Sequence, residues 1–278
     1  MTTIAQESRS LQIAGSELSF LDRGEGSAVL LGHSFLWDAE MWRPQVDALS
    51  RRYRVVVPEL WGHGASGALP AGTRDLRDIA RHHLSLMDRL GIERFAVVGL
   101  SVGGMWGAEL ALMAPDRVSA LILLDSFVGP EPEVTRHRYF EMLRMIEAAQ
   151  TVPEPILDAV VPLFFASDVE ARRPDLPRGL RARLRGWPGD RLVDSVAPLG
   201  RIVFGRRDMM GEIGALRMPR LVMCGRDDVA RPISEAMEMA EALGCACLAI
   251  PRAGHISSLE APEVVTREIA DFLDGLPG

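Results

Sequence analysis

The 278-residue chain has no lysine, no asparagine and only three cysteines. Without lysine there is no Schiff-base nucleophile and no phosphate-loop lysine. Without asparagine there is no N-glycosylation acceptor and no Cys-His-Asn triad. All 31 basic residues are therefore arginine, and a nucleotide composition favouring arginine codons accounts for this without functional selection. Cys224, Cys245 and Cys247 cannot all pair internally, and Cys224 lies inside an apolar run. They read as apolar fillers rather than a disulfide framework. No apolar stretch is long enough to span a bilayer, and the polar start Met1 to Ser10 lacks the hydrophobic segment of a signal peptide. A cytoplasmic protein with no membrane partner is the expectation. Acidic residues outnumber basic ones by 38 to 31, which leaves no electrostatic footprint for nucleic acid.

What is present is an alternation of short apolar runs with amphipathic segments. Ala28 to Leu31, Arg54 to Val57, Phe95 to Leu100, Val118 to Leu124, Arg220 to Cys224 and Cys247 to Ile250 have the length and composition of buried strands. Helical patterns fall between them at about Ala39 to Leu49, Arg74 to Leu90, Val102 to Met113, Ile233 to Leu243 and Pro262 to Leu273. This order predicts an α/β fold, a mostly parallel central sheet flanked by helices on both faces. Leu11 to Asp22, with Gly15-Ser16 in its middle, reads as an antiparallel hairpin at the sheet edge. The alternation breaks between Gly129 and Gly214, where prolines recur too often for strands and several short helices fit better. The division expected is a core of 1–128 and 215–278 with a helical cap insertion of 129–214, covering the carboxyl edge of the sheet. The basic run Arg172 to Arg185 within it reads as a solvated helix face rather than an anion site.

The segment Val98-Gly99-Leu100-Ser101-Val102-Gly103-Gly104 carries the strongest chemical signal. A serine stands between glycines where an apolar strand gives way to a helix, the pattern of a nucleophile elbow. A serine hydroxyl is a weak nucleophile and needs a base within hydrogen-bond reach, itself oriented by a carboxylate. His255 follows the last apolar run on a loop, and Gly225-Arg226-Asp227-Asp228 follows the run before it. Serine, aspartate and histidine thus come in the order expected for such an elbow. His33 reads as support for the loop it stands on, and His63 as fixing its own glycine-rich loop. His82 and His83 have no metal-ligand partners nearby in sequence and read as solvated. No metal or organic cofactor is implied.

With these motifs the chain resembles the α/β-hydrolase superfamily from about Leu11 to Leu273. The serine in Gly32-His33-Ser34-Phe35 and the stretch Gly99 to Met105 are similar to the 3-oxoadipate enol-lactonase and carboxylesterase branch. The resemblance implies an α/β-hydrolase fold with Ser101 as nucleophile, His255 as base and Asp228 as acid; Asp125 is the other position where relatives carry the acid. It also implies an oxyanion hole from the backbone N–H groups of Val102 and Phe35, the latter on the loop where relatives usually carry histidine-glycine. Ser34, Trp37 and Phe127 are the candidate pocket residues. The expected activity is cleavage of a small carboxylic ester or lactone through an acyl-enzyme. Alternatives are a carbon-carbon bond hydrolase or a perhydrolase with the same triad, and, from another class, a ligand-sensing receptor. Serine at the elbow argues against haloalkane dehalogenation, which uses aspartate there. Apolar residues of the insertion would line either a pocket or a partner surface, which leaves a homo-oligomer open.

Overall fold

The computed structural model describes residues 3–276, so Met1, Thr2, Pro277 and Gly278, at the two ends of the expected core, lie outside the described residues. Eight strands, β1 (Arg9–Ile13), β2 (Ser16–Arg23), β3 (Ala28–Gly32), β4 (Arg54–Pro58), β5 (Phe95–Leu100), β6 (Val118–Leu124), β7 (Arg220–Gly225) and β8 (Cys247–Ile250), form one sheet in the order β1-β2-β4-β3-β5-β6-β7-β8. β3 to β8 run parallel, and β2 pairs antiparallel with both β1 and β4. The edge hairpin is present, but its turn falls on Ala14-Gly15, both at positive φ, rather than on Gly15-Ser16. β3, β5 and β6 are buried along almost their whole length, as strands covered on both faces must be.

Parallel strands deliver their following loops to one edge of the sheet. β3 leads into Ser34–Leu36, β5 into Ser101, β6 into Asp125, β7 into Asp228 and β8 into the loop bearing His255. The chain passes from β3 outward to β4 and then returns to place β5 on the other side of β3. The ends of β3 and β5 therefore flank a topological switch point, where open α/β sheets leave a crevice.

Helix Val102–Met113 is apolar nearly all round and buried between β5 and helix Leu76–Arg89. The latter starts where the Asp75 side chain accepts the Asp78 N–H at 2.9 Å. His83 on that helix is buried against Trp106, ring centroids 4.1 Å apart, and His82 accepts the Trp61 Nε1–H at 3.1 Å. The expectation that both histidines are solvated is thus corrected: the helix turns its histidine face toward the indoles beneath it. Burial pushes the His83 imidazole down to about 3, so it is neutral. All three cysteines are free; Cys224 is buried, Cys245 and Cys247 only partly so.

From Glu133–Ala149 to Met210–Ile213, between β6 and β7, the elements are helical throughout. One of them, Leu192–Val196, is a π-helical turn. The arginine run is not a plain solvated face. Arg183 pairs with Asp38 and lies over the Trp37 ring at 5.1 Å, Arg181 pairs with Glu154 and Asp158, and Arg172 with Asp168 and Glu260. Glu109, a buried carboxylate in the apolar helix Val102–Met113, meets Arg207 through two hydrogen bonds of 2.6 and 2.9 Å. Among the described residues no helix is long and apolar enough to cross a membrane.

The tightest packing lies beneath the turn that follows β5. A Cβ on Gly103 would stand 2.1 Å from the Gly32 carbonyl oxygen, and one on Gly99 would stand 2.3 Å from the Gly103 carbonyl. Gly103→Ala is expected to lower unfolding stability by at least about 2 kcal/mol, since backbone cannot move aside cheaply. Gly179→Ala, inside helix Asp175–Arg185 with nothing within 4 Å of the new methyl, should raise it by about 0.5–1 kcal/mol. Denaturant melts of the two variants check both signs.

Candidate active site

Ser101 has φ 56° and ψ −121°, a conformation costly for a residue with a side chain. It is held by its neighbours. Its N–H donates to the Leu124 carbonyl at 2.9 Å, and its carbonyl accepts from Gly104 and Met105 N–H groups and from the Ser126 hydroxyl. The hydroxyl is thereby lifted off the end of β5 into the crevice. Its Oγ lies 2.9 Å from His255 Nε2, and His255 Nδ1 lies 2.8 Å from Asp228 Oδ2. Because a carboxylate only accepts, Nδ1 carries the proton, and Nε2 presents its lone pair to the serine hydroxyl. Ser101, Asp228 and His255 are all buried.

The acid is anchored by its own loop. Asp228 Oδ1 accepts the Ala230 and Arg231 N–H groups at 2.8 and 2.9 Å, leaving Oδ2 for the imidazole; Asp227 is exposed. Asp125, the other candidate acid, faces away from the imidazole in its bonding. It accepts the Gly225 N–H at 2.6 Å and pairs with the Ser257 hydroxyl. Burial, and then the charge of Asp228, push its carboxyl up to about 8. Asp125, Cys224 and Asp228 bring one potential ligand atom each within 4.8 Å of one another. Those oxygens are already committed to protein hydrogen bonds, and burial raises the Cys224 thiol far above its ordinary range, so the donor set does not suit a metal. The His255 loop is fixed by buried Glu260, which accepts the Gly254 N–H at 2.7 Å and the Ala166 N–H at 3.2 Å, tying that loop to the helical segment.

On the β3 side, His33 donates from Nδ1 to the Ser34 carbonyl and accepts the Leu60 N–H at Nε2, both at 2.8 Å. His63 accepts the Leu36 N–H at 3.1 Å and donates to the Trp61 carbonyl at 2.9 Å. Burial, and then His33, push the His63 imidazole down to about 3, so it stays neutral and the bond to Leu36 persists. Leu36 is held at φ 68° by that bond. Among the described residues, neither the Phe35 nor the Val102 N–H has a hydrogen-bond partner.

A cavity of about 110 Å³ opens onto Ser101 and His255. Ser34 and Phe35 border it; Val102 lies buried at the start of its helix, beside Ser101 but off the wall. Trp37 and Phe127 are also off the wall, contrary to the expectation that they line the pocket. Trp37 packs edge-on against Phe164 and Phe165, and Phe127 packs beside Gly129. Being close in sequence to a loop at the site does not decide which way a side chain turns. Residues not anticipated from sequence supply most of the wall, among them Met105, Leu143, Ile146, Ile156 and Phe164, together with Glu131, Arg206 and Arg231. Apart from Met105, which stands in the turn motif, they carry no local signature, because they converge from helices and loops distant in sequence.

A serine on a sharp strand-to-helix turn, with a histidine and an aspartate from later loops of a parallel sheet, defines a hydrolase-type site. The family model of the alpha/beta hydrolase fold matches residues 27–262, and the chain belongs to that family. A provisionally named carbamate hydrolase, RutD, of Caulobacter sp. (strain K31) is 29% identical over 252 residues, 89% of this chain and 90% of that protein. Among solved structures, a thermophilic esterase from Thermogutta terrifontis superposes with a TM-score of 0.87 at 28% identity, over 96% of this chain and 99% of that one. The enol-lactonase from Burkholderia xenovorans LB400 gives a TM-score of 0.85 at 28% identity, over 96% and 100%.

Burial alone would lower the His255 imidazole, but the charge and hydrogen bond of Asp228, with Asp125 behind it, outweigh burial and raise it above 6.5. NMR titration of the His255 ring should therefore give a midpoint above 6.5, with the cation persisting to higher pH than in a free histidine. Asp228→Asn should move that midpoint down.

Proposed function

We propose that the protein is a serine hydrolase that cleaves a small carboxylic ester or lactone through an acyl-enzyme. The observation that carries this reading is the unbroken hydrogen-bond path Ser101 Oγ, His255 Nε2, His255 Nδ1, Asp228 Oδ2, with steps of 2.9 and 2.8 Å, ending at an apolar cavity. Ser101 Oγ attacks the substrate carbonyl carbon while His255 takes its proton, and Asp228 stabilises the imidazolium that results. The tetrahedral oxyanion is held by the Val102 and Phe35 N–H groups. As the intermediate collapses, the bond to the alcohol oxygen breaks and His255 returns its proton to that oxygen. Water then attacks the acyl-enzyme with His255 as base, releasing the acid and restoring Ser101. In a lactone the alcohol and acid leave as one molecule. Segment 129–214 serves as the cover that excludes bulk water and sets acyl size.

The esterase and enol-lactonase at 28% identity support the ester or lactone. The similarity to RutD favours a second reading, attack on a carbamate carbonyl by the same serine. The aliphatic wall of Leu143, Ile146 and Ile156 speaks for the first, since a small carbamate head would leave that surface uncovered.

An activity-based phosphonate should label wild-type Ser101 and fail on Ser101→Ala. Asp228→Asn should lower kcat by roughly 10⁴-fold with little change in KM, because the imidazole loses its tautomer. Asp125→Asn should cost far less. Folded wild-type protein that resists the phosphonate and turns over neither short esters, lactones nor carbamates would rule the serine mechanism out.

A further inference from the structure

The loop that presents the Phe35 N–H, Ser34 to Asp38, has little backbone support of its own. Among the described residues, Leu36 is the only one of Ser34 to Trp37 whose N–H reaches a nitrogen or oxygen outside the loop, through its bond to His63 Nε2. Leu36 is also held at φ 68°, a costly conformation for a residue with a side chain. Such a loop keeps its shape only if side chains packed on it enforce that shape.

Those side chains come from the cover. The Phe35 ring stands edge-on to Phe204, centroids 5.9 Å apart, and so near helix Ala197–Phe204 that a Cβ on Gly200 would lie 3.1 Å from it. His63, which holds Leu36, has its ring against both Phe35, at 5.4 Å, and Trp187, at 5.3 Å. Arg183 pairs with Asp38 at 3.3 Å and lies over the Trp37 ring. The His63 loop is seated on the same helical segment. There the Leu69 N–H donates to Ser195 Oγ at 3.0 Å and Arg191 Nη1 to the Gly64 carbonyl at 3.2 Å, while a Cβ on Gly62 would stand 2.3 Å from that of Ser195. Ser195 belongs to the π-helical turn whose Leu192 and Val196 line the cavity.

We infer that Trp187 and Arg183 are positioning residues: through them the closed cover holds the Ser34 to Asp38 loop with the Phe35 N–H facing the oxyanion, so the oxyanion hole is complete only while the cover is shut. Neither side chain lines the cavity, so each acts through the loop, Trp187 by way of His63 and Arg183 by way of Asp38 and Trp37. Whenever the cover lifts to admit substrate or release product, these contacts part and the donor loses its aim. Closure then excludes water and sets the donor in one movement, which ties bond cleavage to the closed state. This rests on the ester or lactone reading above, in which the Phe35 N–H takes the oxyanion.

Trp187→Ala tests it with 4-nitrophenyl pentanoate as substrate. kcat should fall by roughly 10- to 100-fold while KM changes by less than about 3-fold, since the donor acts on the oxyanion and not on the bound ester. The Ki of an alkyl trifluoromethyl ketone, whose adduct with Ser101 places an oxyanion in the hole, should rise by a similar factor. Trp187→Phe, which keeps an aromatic edge against His63, should recover most of both. A Trp187 that only stabilises the fold would lower the active fraction and leave the Ki where it was, and that outcome overturns the inference. Arg183→Gln, at a partly exposed position and through a separate contact, should move kcat and Ki the same way by a smaller factor. It decides the matter if Trp187→Ala does not fold, and no change in either quantity overturns the inference. Hydrogen exchange at the Leu36 N–H, which should be faster in Trp187→Ala than in wild type, needs no turnover. Faster exchange in a protein whose wild type hydrolyses no ester keeps the positioning and removes the ester reading. Unchanged exchange with unchanged kcat removes the positioning and leaves the ester reading standing.

Discussion

The contact on which the site depends is the meeting of three backbone segments at Gly32, Gly99 and Gly103. The end of β3, the end of β5 and the first turn of helix Val102–Met113 approach so closely that none could carry a side chain there. Because the helix starts directly against β3, the chain must turn within one residue after Leu100, and Ser101 takes the strained conformation that this demands. Strain stored at one residue persists only where its surroundings over-determine it. The Leu124 carbonyl, the Ser126 hydroxyl and the buried Trp106 behind Gly32 supply that constraint. The same contact brings the start of the helix beside the loop after β3, where the Phe35 and Val102 N–H groups are proposed to act together.

A second constraint fixes the histidine. His255 sits on a loop, and loops move; this one is tied at Gly254 to Glu260, and through Glu260 to Ala166 and Arg172 of the helical segment. Arg207 reaches back to Glu109, and Arg183 to Asp38. The helical segment is thus bound to the core by charged contacts on several sides. If it is the cover we propose, opening it requires breaking partly buried ion pairs, which are more persistent than surface ones.

Much of this was legible in the sequence for physical reasons. Runs such as Phe95 to Leu100 are buried on both faces and so read as strands without ambiguity, and their order alone predicts a parallel sheet. Gly99, Gly103 and Ser101 announce a crowded turn because few residues survive there. Asp228 and His255 could be named because the topology places loops after strands on one edge, and the structure brings both to Ser101. Choosing Asp228 over Asp125 rested on family resemblance; the geometry that distinguishes them, which carboxylate faces Nδ1, needs coordinates. His83 misread as solvated, and Trp37 and Phe127 misread as pocket residues, share one cause. Side-chain direction depends on packing against elements distant in sequence, and periodicity reports only which faces are apolar. Glu131, Arg206 and Arg231 were invisible for the same reason, being separated by 75 and 100 positions from the carboxylate they share.

In the proposed mechanism Ser101 becomes acylated during turnover. Since the chain has no lysine, trypsin cuts only after arginine, and Ser101 falls within residues 95–117, bounded by Arg94 and Arg117. Acid quenching of the wild-type enzyme during turnover of 4-nitrophenyl pentanoate, followed by mass spectrometry of that peptide, reads the intermediate directly. A mass increase equal to the acyl group is expected, located on Ser101 and absent from Ser101→Ala. Sustained ester turnover with residues 95–117 unmodified, even when deacylation is slowed by low temperature, would contradict it.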